Sequence, residues 1–366
     1  MRCGEARPGS IRRRRMELPP IRPFDLDAER SARAHLDQLT KPPGSLGKLE
    51  HLGAWWSGAT GFPPKPVRKP RLYTFAGDHG VTAAGVSPYP SAVTVQMVLN
   101  FLAGGAAVNV FARHHDVELS VVDAGVAGDL SLCRDTPAAR FLPRKVRPGT
   151  SNMTVEPAMS RTQAEAAVQL GISLALEAAR EGVDLLGAGE MGIGNTTSAA
   201  ACLSAVAGMP GKLTAGRGTG VDDAGLARKV AAIDMAIALH RPDRDDAIGI
   251  LAAVGGLEIA AIAGLCIGGA ARGVPVVLDG FISTAGGMLA NVLCPDVLPY
   301  IVVSHKSAEN AHWAMSRMLG KEPIHDLDLR LGEGTGAVLA MDTIRLAGKV
   351  MREMATFASA GVSNKE

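Results

Sequence analysis

Five short apolar runs, each ending in a polar or glycine-bearing turn and separated by Ala-rich helical patterns, constrain this 366-residue chain more than anything else in it. Residues 71–75 lead into AGDHGV, 117–122 into DAGV, 183–186 into GAGEMGIGN, 274–278 into DGFIS and 300–303 into SHKSAE. Runs this short and mostly apolar suit parallel strands buried on both faces. Helical patterns over 161–180 and 224–239 lie between them. The alternation predicts an α/β fold: a doubly wound, mainly parallel, Rossmann-like sheet. Composition agrees, because 43 glycines with only 4% aromatic residues suit helices packed closely on a sheet better than a β-sandwich. In such sheets ligands bind outside the carboxyl ends of the strands, where all five turns fall.

The flanks read differently. Residues 18–70 are Pro-rich with helical patterns at 27–39 and 46–56, and 337–357 repeats apolar residues at three and four. We expect a small helical subdomain from 16–65 plus 337–366, an α/β catalytic domain over 66–336, and a disordered basic tail over 1–15 bearing Arg12, Arg13, Arg14 and Arg15. Met16 is an alternative start. The formal charge of +2 provides no field to recruit nucleic acid or a membrane surface. The apolar stretch 247–271 carries Glu258 and paired glycines and leads into a strand pattern, so two packed helices fit it better than a membrane span. Five scattered cysteines, never spaced CxxC, argue against a disulfide framework or zinc site and for a cytoplasmic protein.

Three glycine turns carry the chemistry. GEMGIGNTT, from Gly189 to Thr197, places Glu190 in a glycine-rich passage from strand to helix, where backbone N–H groups can hold a phosphate. Glu190 beside such a cradle repels phosphate and so serves another part of a ligand, a ribose hydroxyl or a cationic ring; a tight turn with an exposed acid is the alternative. LRLGEGTGA presents Glu333 between Gly332 and Gly334, the access that a general base needs, and an apolar surrounding would raise its pKa. A solvated acid in a flexible loop is the plain alternative. GRGTGVDD precedes the helical pattern bearing Arg228 and Lys229, and backbone amides with a lysine make a plausible phosphate pair. In KPPGSLGKLE, Ser45 stands where a helix N-cap would.

Several chemistries are excluded. No GxxxxGK[ST] or GxSxG is present, and the glycine spacings miss the dinucleotide fingerprint. Asp78 with His79, and His305 with Glu309, do not make an HExxH pair, so a polar or interior role fits them better than a metal.

Together AGDHGV, SPYPSAVTVQM, FLAGGAAVNV, DAGV, GEMGIGNTT, GRGTGVDD, GGLEIAAIAG, LDGFIST, SHKSAE and LRLGEGTGA occur in the order seen in the nicotinate-nucleotide:dimethylbenzimidazole phosphoribosyltransferases. The resemblance runs from about Lys41 to the C-terminal helix. It implies transfer of the 5-phosphoribosyl group of nicotinate mononucleotide to 5,6-dimethylbenzimidazole, with inversion at the anomeric carbon, in cobalamin nucleotide-loop synthesis. It implies a homodimer, with neither cofactor nor metal. By motif position Glu333 resembles the catalytic base, and Glu190, Gly192, Asn195, Gly218, Lys229, Ser307 and Gly332 resemble nucleotide contacts. Ser87, Tyr89, Gln96 and Leu331 resemble the wall of the benzimidazole slot. A transferase for another base would differ at that slot; a non-catalytic nucleotide-binding regulator would lack Glu333.

Overall fold

The structure is a computed structural model that describes residues 16–309 and 311–363; the expected basic tail 1–15 lies outside the described residues. Six strands, β1 (Pro70–Gly77), β2 (Glu118–Gly125), β3 (Arg140–Pro143), β4 (Leu185–Met191), β5 (Val276–Leu278) and β6 (Ile301–Val303), form one parallel sheet in the order β3-β2-β1-β4-β5-β6. The sheet grows outward from β1 through β2 to β3, then returns to β4 beside β1 and grows the other way. This is the Rossmann-like, doubly wound order expected, and its switch point lies between β1 and β4.

Alternate residues of each strand feed two separate cores. Tyr73, Phe75, Val122, Leu186, Val276 and Val303 pack under helices Arg161–Arg180, Asn195–Ala207, Leu257–Arg272 and Phe281–Leu293. Leu72, Ala76, Val121, Leu185, Val277 and Val302 face helices Lys48–Thr60, Ala92–Ala103, Ala107–His114 and Thr335–Glu353. The period of two in the strands therefore becomes three layers.

Two readings of the sequence are corrected. Strand β3 is absent from the sequence pattern, because RFLP is short and closes on a proline; such a segment is tolerated at a sheet edge, where it lies. The N-cap of helix Lys48–Thr60 is Gly47, not Ser45, and Glu50 accepts the Leu46 N–H at 3.0 Å. Residues 247–271 are two helices, Ala247–Val254 and Leu257–Arg272, as expected. The apolar stretch Ala92–His114 is likewise two helices, broken at Gly104, and 12 residues of the first extend about 18 Å, short of a bilayer's hydrocarbon core.

Helices from both flanks meet: Ala32, Leu36, Leu39, Ala54 and Met351 form a small third cluster. Helix Thr335–Glu353 is shared, with Val338 and Met341 in the sheet-facing core and Met351 in the flank cluster.

Candidate active site

Strand β4 runs through to Met191, so Glu190 sits on the strand beside Phe75 of β1 rather than in the turn. The glycines before it serve close approach instead of turning. A Cβ on Gly189 would lie well under 3.0 Å from the Glu333 carbonyl oxygen, and only a bare backbone lets that loop rest on the strand. Two bonds fix the contact: the Glu333 N–H donates to the Glu190 carbonyl at 3.2 Å, and Thr74 Oγ1 donates to the Glu333 carbonyl at 2.7 Å. Residues 143 positions apart in sequence thus share the switch point.

Glu333 has φ +67°, between Gly332 at +85° and Gly334 at +103°. A non-glycine residue in the left-handed region costs about 1 kcal/mol or more and persists where its surroundings impose it, often at functional sites. Its carboxylate is buried at the start of helix Ala107–His114, 3.4 Å from the Val108 N–H. Burial raises its pKa above the usual 4.5, and that N–H opposes the rise. Glu190 is more extreme. Burial, then the charges of Asp279 and Glu258, push its carboxyl well above that value, although Asn195 Nδ2 donates to its Oε2. The two acids therefore differ in proton affinity, and Glu333 ionises more readily.

Behind them stands Asp279, fully buried at the end of β5. Its carboxylate accepts the N–H groups of Gly336 at 2.7 Å, Gly334 at 2.9 Å and Ala337 at 3.1 Å, capping helix Thr335–Glu353 immediately after Glu333. Burial raises its pKa to about 7 despite these bonds. His305 is lowered to about 4 and His312 to about 3 by burial, so both are neutral near pH 7. His79 is a satisfied interior histidine, bonded to Glu258 at 2.7 Å and Ser198 at 3.1 Å. No cluster of three or more metal-ligating side chains occurs among the described residues.

A cleft of about 80 Å³ opens at this point, and its lining includes Glu190, Gly192, Asn195, Gly218, Ser307, Leu331 and Gly332. An adjoining cavity of about 20 Å³ shares Gly192, Asn195 and Thr196 with it and adds Ser87 and Lys229. Lys229 is 1% exposed and donates to Thr196 Oγ1 at 2.9 Å; burial lowers its pKa to about 8. The Gly218 N–H donates to Glu309 Oε1 at 2.7 Å. Gly218, Lys229 and the start of helix Asn195–Ala207 thereby gather at one end, a combination suited to an anion.

The structure brings every expected nucleotide contact to these two cavities. Glu333 lies buried beside them, bonded to Glu190. On the expected slot, Leu331 stands half-exposed at the cleft and Ser87 beside Lys229, whereas Tyr89 and Gln96 are exposed and line neither cavity. A separate groove of about 380 Å³ between helix Lys48–Thr60 and β6 contains none of the candidate residues. Sequence reasoning missed Asp279, Thr74 and Arg330, and gave Glu309 only a general polar role. Only Asp279 left a signal, an acid directly after a buried strand.

Residues 21–362 match the family described as phosphoribosyltransferase. A nicotinate-nucleotide–dimethylbenzimidazole phosphoribosyltransferase of Roseiflexus sp. (strain RS-1) is 51% identical over 345 residues, 94% of this chain and 96% of that one. The relative of the same name in Geobacter metallireducens is 50% identical over 345 residues, again 94% and 96%. A solved structure of such an enzyme from Thermus thermophilus superposes with TM-score 0.87 at 45% identity, covering 93% of this chain and 100% of that one.

Proposed function

The chain belongs to the nicotinate-nucleotide–dimethylbenzimidazole phosphoribosyltransferase family, and from that premise we propose that Glu333 is the general base of the transfer. The protein transfers the 5-phosphoribosyl group of nicotinate mononucleotide to 5,6-dimethylbenzimidazole, giving α-ribazole 5′-phosphate and nicotinate. The C1′–N bond to the pyridinium breaks, and its electron pair returns to the ring nitrogen, so the leaving group needs no proton. One benzimidazole nitrogen forms the new bond from the opposite face while the other gives up its proton. One base suffices.

The observation that carries Glu333 is its backbone: an acid held at positive φ, buried, and bonded to the switch-point strand. Its pKa is raised by burial but less than that of Glu190, and a raised pKa makes a carboxylate a stronger base. Glu190 and Asn195 are then ribose contacts, and the protonated Glu190 carboxyl can donate to a ribose oxygen. Gly192, Gly218, Lys229 and Ser307 hold the phosphate end, with Gly332 bringing the loop onto Glu190. Leu331 with Ser87, Tyr89 and Gln96 is our reading of the benzimidazole slot. We read the protein as a cytoplasmic homodimer whose helical subdomain, 16–65 with the chain from 337 onward, serves the interface.

Glu333→Gln keeps the shape and removes the base. Its kcat is expected to fall about 10²- to 10⁴-fold, with nucleotide affinity by calorimetry nearly unchanged. Turnover at the wild-type rate would overturn the assignment.

A further inference from the structure

The cleft is rich in acids. Glu190 and Glu309 line it, and Glu333 and Asp279 stand close behind Glu190, adding to its environment. The nucleotide of the proposed reaction carries two anionic groups, the phosphate and the carboxylate of the pyridine ring. The gathering at Lys229 and Gly218 answers the first. Nothing assigned so far answers the second.

Arg330 does. It lines the cleft with Glu190, Leu331 and Gly332, and it is the one Arg or Lys among the residues of that lining. Its side chain is exposed and makes no hydrogen bond or ion pair among the described residues. Neighbouring cations are engaged: Lys229 with Thr196 at 2.9 Å, Arg217 with Asp223 at 2.6 Å and Lys306 with Asp326 at 3.0 Å. The nearby histidines contribute no charge near pH 7, since burial holds His305 down at about 4. The backbone beneath Arg330 is anchored, with the Leu329 carbonyl accepting the Ala308 N–H at 3.1 Å and the Glu333 N–H held by Glu190. One short segment therefore presents a free guanidinium three residues before the proposed base.

We propose that Arg330 is a specificity-determining residue that pairs with the carboxylate of the aromatic acid on the nucleotide. The inference rests on the transferase reading above. A planar guanidinium matches a carboxylate in two parallel bonds, which an uncharged carboxamide cannot reproduce. It also offsets the repulsion that the acids of the cleft would exert on a second anion. The contact is present before and during bond breaking, so its loss is expected in KM more than in kcat.

The test compares nicotinate mononucleotide with nicotinamide mononucleotide, a near-isostere whose ring bears a neutral amide, each with 5,6-dimethylbenzimidazole and the full chain. The wild type is expected to favour the acid. Arg330→Gln should lower kcat/KM for the acid roughly 10- to 100-fold, mostly through KM, and change the amide less than about threefold. Arg330→Lys should recover part of the preference. An equal fall on both nucleotides, no fall on the acid, or a wild type without preference overturns the proposal. A wild type that yields no riboside from either nucleotide overturns the transferase reading instead.

Discussion

Lys229 is a cation deprived of water, and the deprivation has a measurable effect on its proton. It is 1% exposed, its partner is a neutral hydroxyl, and burial brings its pKa down to about 8. Glu309 is the one charge that opposes this fall, and in the proposed reading a phosphate arriving beside Lys229 would add a second. In kcat/KM, which reports the free enzyme, activity should rise as Glu333 ionises above the ordinary carboxylate range and fall as Lys229 deprotonates near pH 8. Lys229→Arg keeps its proton to about pH 12 and beyond, so its alkaline limb should move up by more than about one unit, with some loss of affinity. An alkaline limb that stays at the same pH would remove Lys229 from the phosphate site.

At the scale of elements, the site depends on one helix start. Helix Thr335–Glu353 follows directly on the Glu333 loop, and its first amides are held by Asp279, which belongs to the end of β5. The strand thereby fixes where the helix begins, and the helix fixes the loop. Asp279→Asn offers an amide group where three N–H donors converge, so at least one loses its acceptor. We expect about 1–2 kcal/mol of lost stability and a kcat lower by roughly 10- to 100-fold, with nucleotide KM changed little, because the base is displaced. Steady-state kinetics on a variant shown by circular dichroism to be folded reads this out. An unaltered kcat would mean that the loop keeps its geometry without the cap.

For the whole molecule, burying several acids at one crevice makes stability depend on pH in an uncommon direction. The folded pKa of Asp279 is about 7, above the value of about 3.9 in unfolded chains. The native state then holds an extra proton, and that contribution is complete below about pH 4 and lost as pH rises through about 7. Over this window the thermal midpoint of the wild type should fall relative to that of Asp279→Asn, which has no such group; parallel curves from a pH series of thermal melts would contradict the buried-acid account. The homodimer reading is tested at the same scale by light scattering during size exclusion. A single peak at the mass of one chain at micromolar concentration would exclude it.

Much of this was legible in the order of residues. Short continuous apolar runs with Ala-rich helical patterns between them dictate a parallel sheet covered on both faces, because a strand with no polar face must be buried twice. Glycines flanking Glu190 and Glu333 marked both acids, because bare backbone around a carboxylate is conspicuous in any sequence. The fold alone decided which glycines turn the chain and which admit a neighbouring loop. It also decided that two acids 143 positions apart share a backbone hydrogen bond, and that Asp279 caps a helix beginning 56 residues later. Such contacts depend on where β4 and β5 lie relative to helix Thr335–Glu353. So do the differing proton affinities of Glu190 and Glu333, since desolvation and neighbouring charge are properties of a place in three dimensions, and no local pattern of residues encodes them.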